Sequence, residues 1–129
     1  MLRRVRSELL ALAVAAAALG AGGCGEKDIQ LARSDPNYEG AKIFQQKCSG
    51  CHTIDAAGTQ GSAFDANGRE YVDGPNFEAR KEEVGEILYA IRNGGFSSGP
   101  MPQDIVVGEE AEKVAKFIAE NSGSNAAPE

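Results

Sequence analysis

The chain has 129 residues, 42% of them apolar, and a net charge of −6. This length excludes two full domains, a Rossmann or barrel enzyme and a multispanning membrane protein, so one small domain is expected. The acidic balance, without a basic stripe, argues against nucleic-acid binding. The chain has no tryptophan. Because so short a chain buries little apolar surface, we expect something besides side chains to complete the core, such as a disulfide, a metal or a cofactor.

The first 23 residues have the layout of a secretory signal peptide. Residues 1–6 are basic, residues 9–19 are an unbroken run of Leu, Ala and Val, and residues 20–23 are small. A permanent transmembrane anchor is the weaker alternative, since a spanning helix needs about 20 apolar residues. We therefore predict that residues 1–23 direct export and are then removed.

Cys24 directly follows these small residues and resembles the lipid-acceptor cysteine of bacterial lipoproteins. The match is partial, because Ala21 stands where that pattern prefers leucine. The alternative is an ordinary signal peptide followed by an incidental cysteine, although an odd exposed thiol is a liability in an exported protein. We predict lipid attachment at Cys24, a flexible tether over residues 24–33, and a location on the outer face of the bacterial cytoplasmic membrane.

Three helical patterns lie within residues 34–121, the predicted domain. Asp35 and Pro36 suit an N-cap and a first helical position, and that helix runs toward residue 48. In the second and third helices, apolar residues recur at i, i+3, i+4 and i+7, and the sequence Asn93-Gly94-Gly95 ends the second. These apolar positions are Val84, Ile87, Leu88 and Ile91, then Ala111, Val114, Ala115 and Ile118.

The rest of the domain is predicted to be loop. No apolar alternation is long enough for a sheet, although residues 64–71 could form a short hairpin. On the third helix, Glu109 with Lys113 and Glu112 with Lys116 are spaced as i,i+4 ion pairs. Residues 122–129 are predicted to be disordered. The fold class is therefore all-α.

Residues 48–52 read Cys-Ser-Gly-Cys-His, the C-x-x-C-H attachment pattern of c-type haem. At the end of a helix, Cys48 and Cys51 place both sulfurs on one side, where they can form thioethers to the two vinyl groups of one haem. The adjacent His52 can then bind the iron. A covalent haem would also fill the thin core.

Other uses of these residues remain open. A thioredoxin-like redox pair begins a helix that follows a strand, and that context is missing here. A structural zinc site needs four ligands, and the domain has no Cys or His besides Cys48, Cys51 and His52. A plain disulfide between the two cysteines is the third alternative.

Met101 is the one methionine left once the leader is removed. A thioether is one of the known second axial ligands of haem iron, and it raises the reduction potential. Pro100 and Pro102 flank Met101 and stiffen its backbone. The ordinary alternative for a methionine is to fill a gap in a core, but a loop beyond the second helix suits that role poorly. We predict that Met101 binds the iron.

Together these residues resemble the class I monohaem cytochromes c, a family of small all-α electron carriers, over about residues 35–121. The resemblance implies an N-terminal helix carrying Gly40 and Phe44, which crosses the C-terminal helix at Val114, Phe117 and Ile118. It also implies a Gly-Pro-x-Leu segment, which reads Gly74-Pro75-Asn76-Phe77 here. In that segment the Pro75 carbonyl accepts a hydrogen bond from His52 and fixes the imidazole.

The resemblance also implies which apolar residues line the haem: Ile54, Phe64, Tyr71, Leu88, Ile91 and Phe96. The loop over residues 53–73 is longer than in the smallest members of the family. We interpret it as a surface insertion, with shielding of a haem edge or a partner site as alternatives. Residues 65–68 resemble part of a calcium loop but lack its ligand set, so we predict a turn.

The expected function is electron transfer through one covalent haem c, held by Cys48 and Cys51 and ligated by His52 and Met101, without enzymatic turnover. The resemblance implies a quinol:cytochrome c oxidoreductase as donor and a terminal oxidase or other acceptor. We expect a monomer that docks on a basic patch, because the chain after residue 23 carries 10 Lys and Arg against 18 Asp and Glu. The alternatives are a haem enzyme or gas sensor with an open sixth position, and a thiol–disulfide oxidoreductase.

Overall fold

The computed structural model describes residues 27–62 and 71–125. Their order is helix α1, a two-stranded hairpin closed by one 3₁₀ turn, helix α2 and helix α3. The bounds are α1 Tyr38–Lys47, β1 Thr53–Ile54, the 3₁₀ turn Asp55–Ala57, β2 Thr59–Gln60, α2 Val84–Asn93 and α3 Gly108–Asn121. The predicted mostly helical fold with three main helices is confirmed.

Helices α1 and α3 cross at Gly40. A Cβ atom on Gly40 would lie 2.4 Å from the Lys113 carbonyl oxygen and 2.7 Å from Phe117 Cβ. Only glycine therefore allows this approach. One turn further along α1, the Phe44 ring meets Phe117 edge to face, with centroids 5.7 Å apart. Both phenylalanines are fully buried, so this crossing is the centre of the core.

The apolar periodicity identified the buried face of α3, but only two of its four positions on α2 are buried. In α2, Ile87 and Ile91 are buried, and Gly94 ends the helix in the left-handed conformation. The buried residues of α3 are Ala111, Val114, Ala115, Phe117 and Ile118. The Glu109–Lys113 pair forms at 2.8 Å. Lys116 lies 3.9 Å from Glu120 instead of pairing with Glu112 as predicted.

Helix α1 begins two residues later than predicted, with Asn37 instead of Asp35 as its N-cap. The Asp35 carboxylate accepts a hydrogen bond from the Asn37 N–H at 2.8 Å, and the Asp35 carbonyl accepts one from the Tyr38 N–H at 3.0 Å. These bonds form a separate turn before the helix, because an aspartate can satisfy a turn as well as a helix end.

The two-stranded hairpin was not predicted. Its antiparallel register pairs Thr53 with Gln60 and Ile54 with Thr59, and the Thr59 hydroxyl accepts a hydrogen bond from the Ile54 N–H at 3.0 Å. Two residues per strand are too few for a visible alternation of side chains. The hairpin predicted at residues 64–71 lies outside the described residues except for Tyr71, as does the turn predicted at 65–68.

Both ends of the domain extend beyond the predicted bounds. On the N-terminal side, the Lys27 N–H donates to Gly58 O at 2.9 Å, and Ile29 and Leu31 pack against the core. On the C-terminal side, Gly123 N–H donates to Phe77 O at 2.8 Å. The described parts of the predicted tether and tail therefore pack on the domain. None of the helices within residues 27–62 and 71–125 has the length and hydropathy needed to cross a membrane.

Candidate cofactor site

A cavity of about 490 Å³ opens beside the core. Its lining includes Cys48, Cys51 and His52 from the end of α1 and Met101 from the loop after α2. Cofactor sites usually enclose roughly 300–1,000 Å³ and have mainly apolar walls. The apolar residues of this lining are Val72, Pro75, Phe77, Ile87, Ala90, Ile91, Phe96, Pro100, Pro102 and Ile105. The fold thus brings the residues of the C-x-x-C-H pattern and the distant Met101 to one cavity.

The two cysteines lie where α1 ends. Cys48 is the C-cap residue, and its N–H still donates to Phe44 O at 2.8 Å. The N–H groups of Cys51 and His52 then both donate to Cys48 O, at 3.2 and 3.0 Å. This tight turn brings all three side chains to the cavity.

Both cysteines are free thiols in this structure. Burial, with a smaller contribution from Cys51, raises the pKa of the Cys48 thiol to about 12. Thioredoxin-like cysteines instead begin a helix and have lowered pKa values. The position of Cys48 at the end of a helix, not at its start, argues against thiol–disulfide exchange. Among the described residues, no group of three or more His, Cys, Asp and Glu is arranged to hold a metal ion.

His52 is oriented by the segment that contains Pro75. Its Nδ1 lies 3.0 Å from the Pro75 carbonyl oxygen, the contact that the family resemblance implies. Because a carbonyl only accepts, Nδ1 carries the proton and Nε2 is left with its lone pair. Burial lowers the pKa of His52, against smaller opposing effects of the Pro75 hydrogen bond and Glu82. A neutral imidazole with a fixed tautomer suits metal ligation.

Met101 is half-buried on a loop held at the end of α2. Two close approaches position this loop. The backbone of Gly94 passes so near Met101 O that a Cβ on Gly94 would lie 2.7 Å from that oxygen. The Asp104 N–H also donates to Ile91 O at 2.9 Å. The Met101 sulfur lies 3.9 Å from the Cβ position of Gly95. The chain turn that follows α2 thus places the thioether at the cavity.

The apolar lining differs from the one that the resemblance implied. Ile91 and Phe96 line the cavity, whereas Ile54 is fully buried in the core, Leu88 packs against that core, and Tyr71 is 78% exposed. On α2 the cavity is lined by residues 86, 87, 90 and 91, because these positions share one side of the helix and Leu88 projects away from it. Phe64 lies outside the described residues.

Sequence reasoning missed two polar features of the site. The Ser62 hydroxyl lies 3.1 Å from Pro75 O, the same oxygen that accepts from His52. Glu82 lines the cavity with only 4% of its surface exposed, and its carboxylate pairs with Arg80 Nε at 2.6 Å. The hairpin and the chain after Pro75 bring these groups in, so no local pattern marked them.

The residues of the cavity fit a covalently held haem. Two free thiols and a neutral imidazole come from one turn, a thioether comes from a second loop, and the walls between them are largely apolar. A small helical domain with this arrangement has the architecture of a haem-containing redox protein.

Comparisons with known proteins agree with this class. The family model for cytochrome c matches residues 38–122. Cytochrome c-551 of Bacillus subtilis (strain 168) is 30% identical over 106 residues, which cover 75% of this chain and 80% of that protein. The c-type cytochrome SorU from Sinorhizobium meliloti is 28% identical with a TM-score of 0.49, covering 74% of this chain and all of that one. The chain belongs to the cytochrome c family, as a class I monohaem member, and this family uses c-type haem for electron transfer.

Proposed function

We propose that this protein is a dedicated electron carrier whose single haem c is attached through Cys48 and Cys51 and ligated by His52 and Met101. The observation that carries the proposal is the shared cavity, which these four side chains line. When bound, the haem iron supplies a one-electron couple between its ferric and ferrous states. Thioethers at Cys48 and Cys51 would hold the cofactor, and the Pro75 carbonyl, which accepts from Nδ1 of His52, leaves Nε2 available to bind the iron.

Two properties of the cavity suit electron transfer without turnover. With His52 and Met101 both bound, the metal has no open position for a substrate. With the haem in place, the largely apolar lining would limit the access of water to the iron, and a low-polarity environment together with a thioether ligand favours a raised reduction potential. Because the ligands come from a fixed turn and an anchored loop, a change of oxidation state requires little movement. These features favour a carrier over a haem enzyme or gas sensor with an open sixth position.

The absorption spectrum of protein matured with a cytochrome c assembly system tests this proposal. We expect a covalent low-spin haem with the ferric methionine-to-iron charge-transfer band, and no response of the reduced protein to carbon monoxide. A high-spin haem, or one that binds carbon monoxide readily, would move the assignment to an enzyme or sensor. If no haem were attached, the proposal would be wrong, and a thiol–disulfide role of Cys48 and Cys51 would be favoured instead.

We further propose that residues 1–23 direct export and that lipid on Cys24 holds the domain to the outer face of the bacterial cytoplasmic membrane. Cys24→Ala is expected to release the haem protein from the membrane fraction into the soluble fraction, because stable anchoring needs more than one acyl chain and the variant would have none. Fractionation followed by haem staining measures this. Gly25→Ala is the control and should remain with membranes. Equal membrane binding of wild type and Cys24→Ala would contradict lipid attachment.

As partners we propose a quinol:cytochrome c oxidoreductase-type donor and a terminal oxidase or other acceptor, which the protein meets as a monomer. The acidic chain favours docking on a basic patch. The second-order rate of electron transfer should therefore fall several-fold as ionic strength rises from about 10 to 150 mM, since the Debye length shortens from roughly 30 to 8 Å. Stopped-flow measurements with a basic and an acidic redox protein test this. A rate that rises with salt for the basic partner would refute it.

A further inference from the structure

The segment 74–77 holds the imidazole of His52 through three of its residues. Gly74 N–H donates to Cys51 O at 2.7 Å, which fastens this segment to the C-x-x-C-H turn. Pro75 then supplies the carbonyl that accepts from Nδ1 at 3.0 Å. Phe77 stands where the Gly-Pro-x-Leu pattern implied by the family resemblance has leucine, and its ring reaches the same imidazole.

Gly74 covers a face of the imidazole. A Cβ on Gly74 would lie 2.3 Å from Cε1 of His52 and 2.6 Å from both Nδ1 and Nε2. Cε1 lies between Nδ1 and Nε2 in the ring. A Cβ in the ring plane beyond Cε1 would be much farther from the two nitrogens than from Cε1, so these similar distances place it above the face of the ring. The backbone of Gly74 therefore approaches the imidazole more closely than any residue with a side chain could.

Phe77 stacks on the same imidazole. The two rings have centroids 4.9 Å apart and an angle of 11° between their planes. The backbone of Phe77 is held on both sides, because its N–H donates to Thr53 O at 3.0 Å and its carbonyl accepts from Gly123 N–H at 2.8 Å. Its ring also meets Phe44 edge to face at 5.9 Å. Phe77 is thus a fixed, flat surface beside the imidazole.

We propose that Phe77 is a positioning residue that sets the rotation of the His52 imidazole about its bond to iron. The Pro75 hydrogen bond fixes the tautomer and holds the ring at Nδ1, but it acts on one edge of the imidazole and leaves the ring faces to other contacts. A parallel aromatic ring resists that rotation directly, since turning drives the imidazole edge into the stacked ring. Leucine has no flat surface and leaves this rotation less restricted. The inference rests on the proposed ligation by His52.

Rotation of the imidazole has its own spectroscopic signature. In a ferric low-spin haem, the plane of an axial imidazole, together with the orientation of the second ligand, sets the direction of the unpaired spin. The largest EPR g value and the pattern of paramagnetically shifted haem-methyl resonances follow that direction. A purely structural role in the core would alter stability and leave both signals in place.

The test compares EPR and proton NMR spectra of ferric holoprotein from wild type and variants of Phe77. Phe77→Leu should remain low-spin but show a shifted, broadened largest g feature and a changed spread of haem-methyl resonances. Phe77→Tyr keeps the ring and should retain the wild-type pattern. Phe117→Leu removes a ring that contacts Phe44 at 5.7 Å, and as the matched core control it should lower thermal stability without moving the signals.

Wild-type spectra in Phe77→Leu would overturn the inference, as would an equal shift in Phe117→Leu. Phe77→Ile, which also lacks a flat ring, serves the same comparison if Phe77→Leu yields no holoprotein. The two proposals fail separately. If the wild-type protein has no low-spin haem, the proposed ligation itself is wrong. If the wild-type haem is low-spin and the spectra of Phe77→Leu are unchanged, only the proposed role of Phe77 is wrong.

Discussion

Met101→Ala is expected to give a haem protein that binds carbon monoxide when reduced. Removing the thioether leaves one axial position without a protein ligand, because alanine cannot reach the metal. The ferric charge-transfer band should disappear. The reduction potential should fall by on the order of 0.1–0.3 V, a part of the roughly 0.8 V over which axial ligands set haem potentials. Absorption spectra with and without carbon monoxide, and a redox titration, measure these changes.

Gln103→Ala is the control for Met101→Ala. Gln103 is exposed and lies on the same loop, where its side chain approaches the end of α2 near Gly94. This variant should keep the charge-transfer band and remain unreactive toward carbon monoxide. If Met101→Ala behaved in the same way, the sixth ligand would have to be another residue, and the proposed assignment of Met101 would be wrong.

The features that sequence analysis located correctly are those set by local chemistry. Helix α2 ends as predicted at Asn93 and Gly94, because a helix end is decided by the residue that adopts the left-handed conformation. The residues of the C-x-x-C-H turn and Met101 line one cavity, while haem attachment and iron ligation by them stay predictions. The family resemblance supplied the Pro75 carbonyl, which lies at hydrogen-bond distance from His52.

The features that it missed depend on contacts between distant parts of the chain. The apolar stripe of α2 includes Val84 and Leu88, yet Val84 is exposed and only Ile87 and Ile91 are buried. The angle at which α2 packs decides which edge of that stripe faces the cavity. This angle cannot be read from the apolar periodicity. The C-terminal segment shows the same limit. The Gly123 N–H donates a backbone hydrogen bond to Phe77 O. Because every residue except proline has a backbone N–H, such a bond leaves no pattern in the sequence.

The Gly40 crossing is where sequence resemblance and structural geometry together predict a large effect on stability. Gly40→Ala would place its Cβ 2.4 Å from a backbone oxygen of α3 and 2.7 Å from Phe117 Cβ. Neither atom belongs to the free end of a flexible side chain, so α1 and α3 must move apart and loosen the contact between Phe44 and Phe117. Such overpacking costs about 1–3 kcal/mol, occasionally more, and it outweighs the gain of up to about 1 kcal/mol from replacing a helical glycine.

We therefore expect Gly40→Ala to lower the free energy of unfolding of the holoprotein by about 2 kcal/mol, a large part of a typical 5–15 kcal/mol. Guanidinium unfolding followed by circular dichroism measures it. Gly85→Ala is the matched control, because Gly85 lies in α2 and its Cβ would meet no atom within 4 Å. That variant should be as stable as wild type or up to about 1 kcal/mol more stable. Equal unfolding midpoints for the two variants would show that α1 and α3 tolerate a wider separation, and the close crossing would then not determine the stability of the domain.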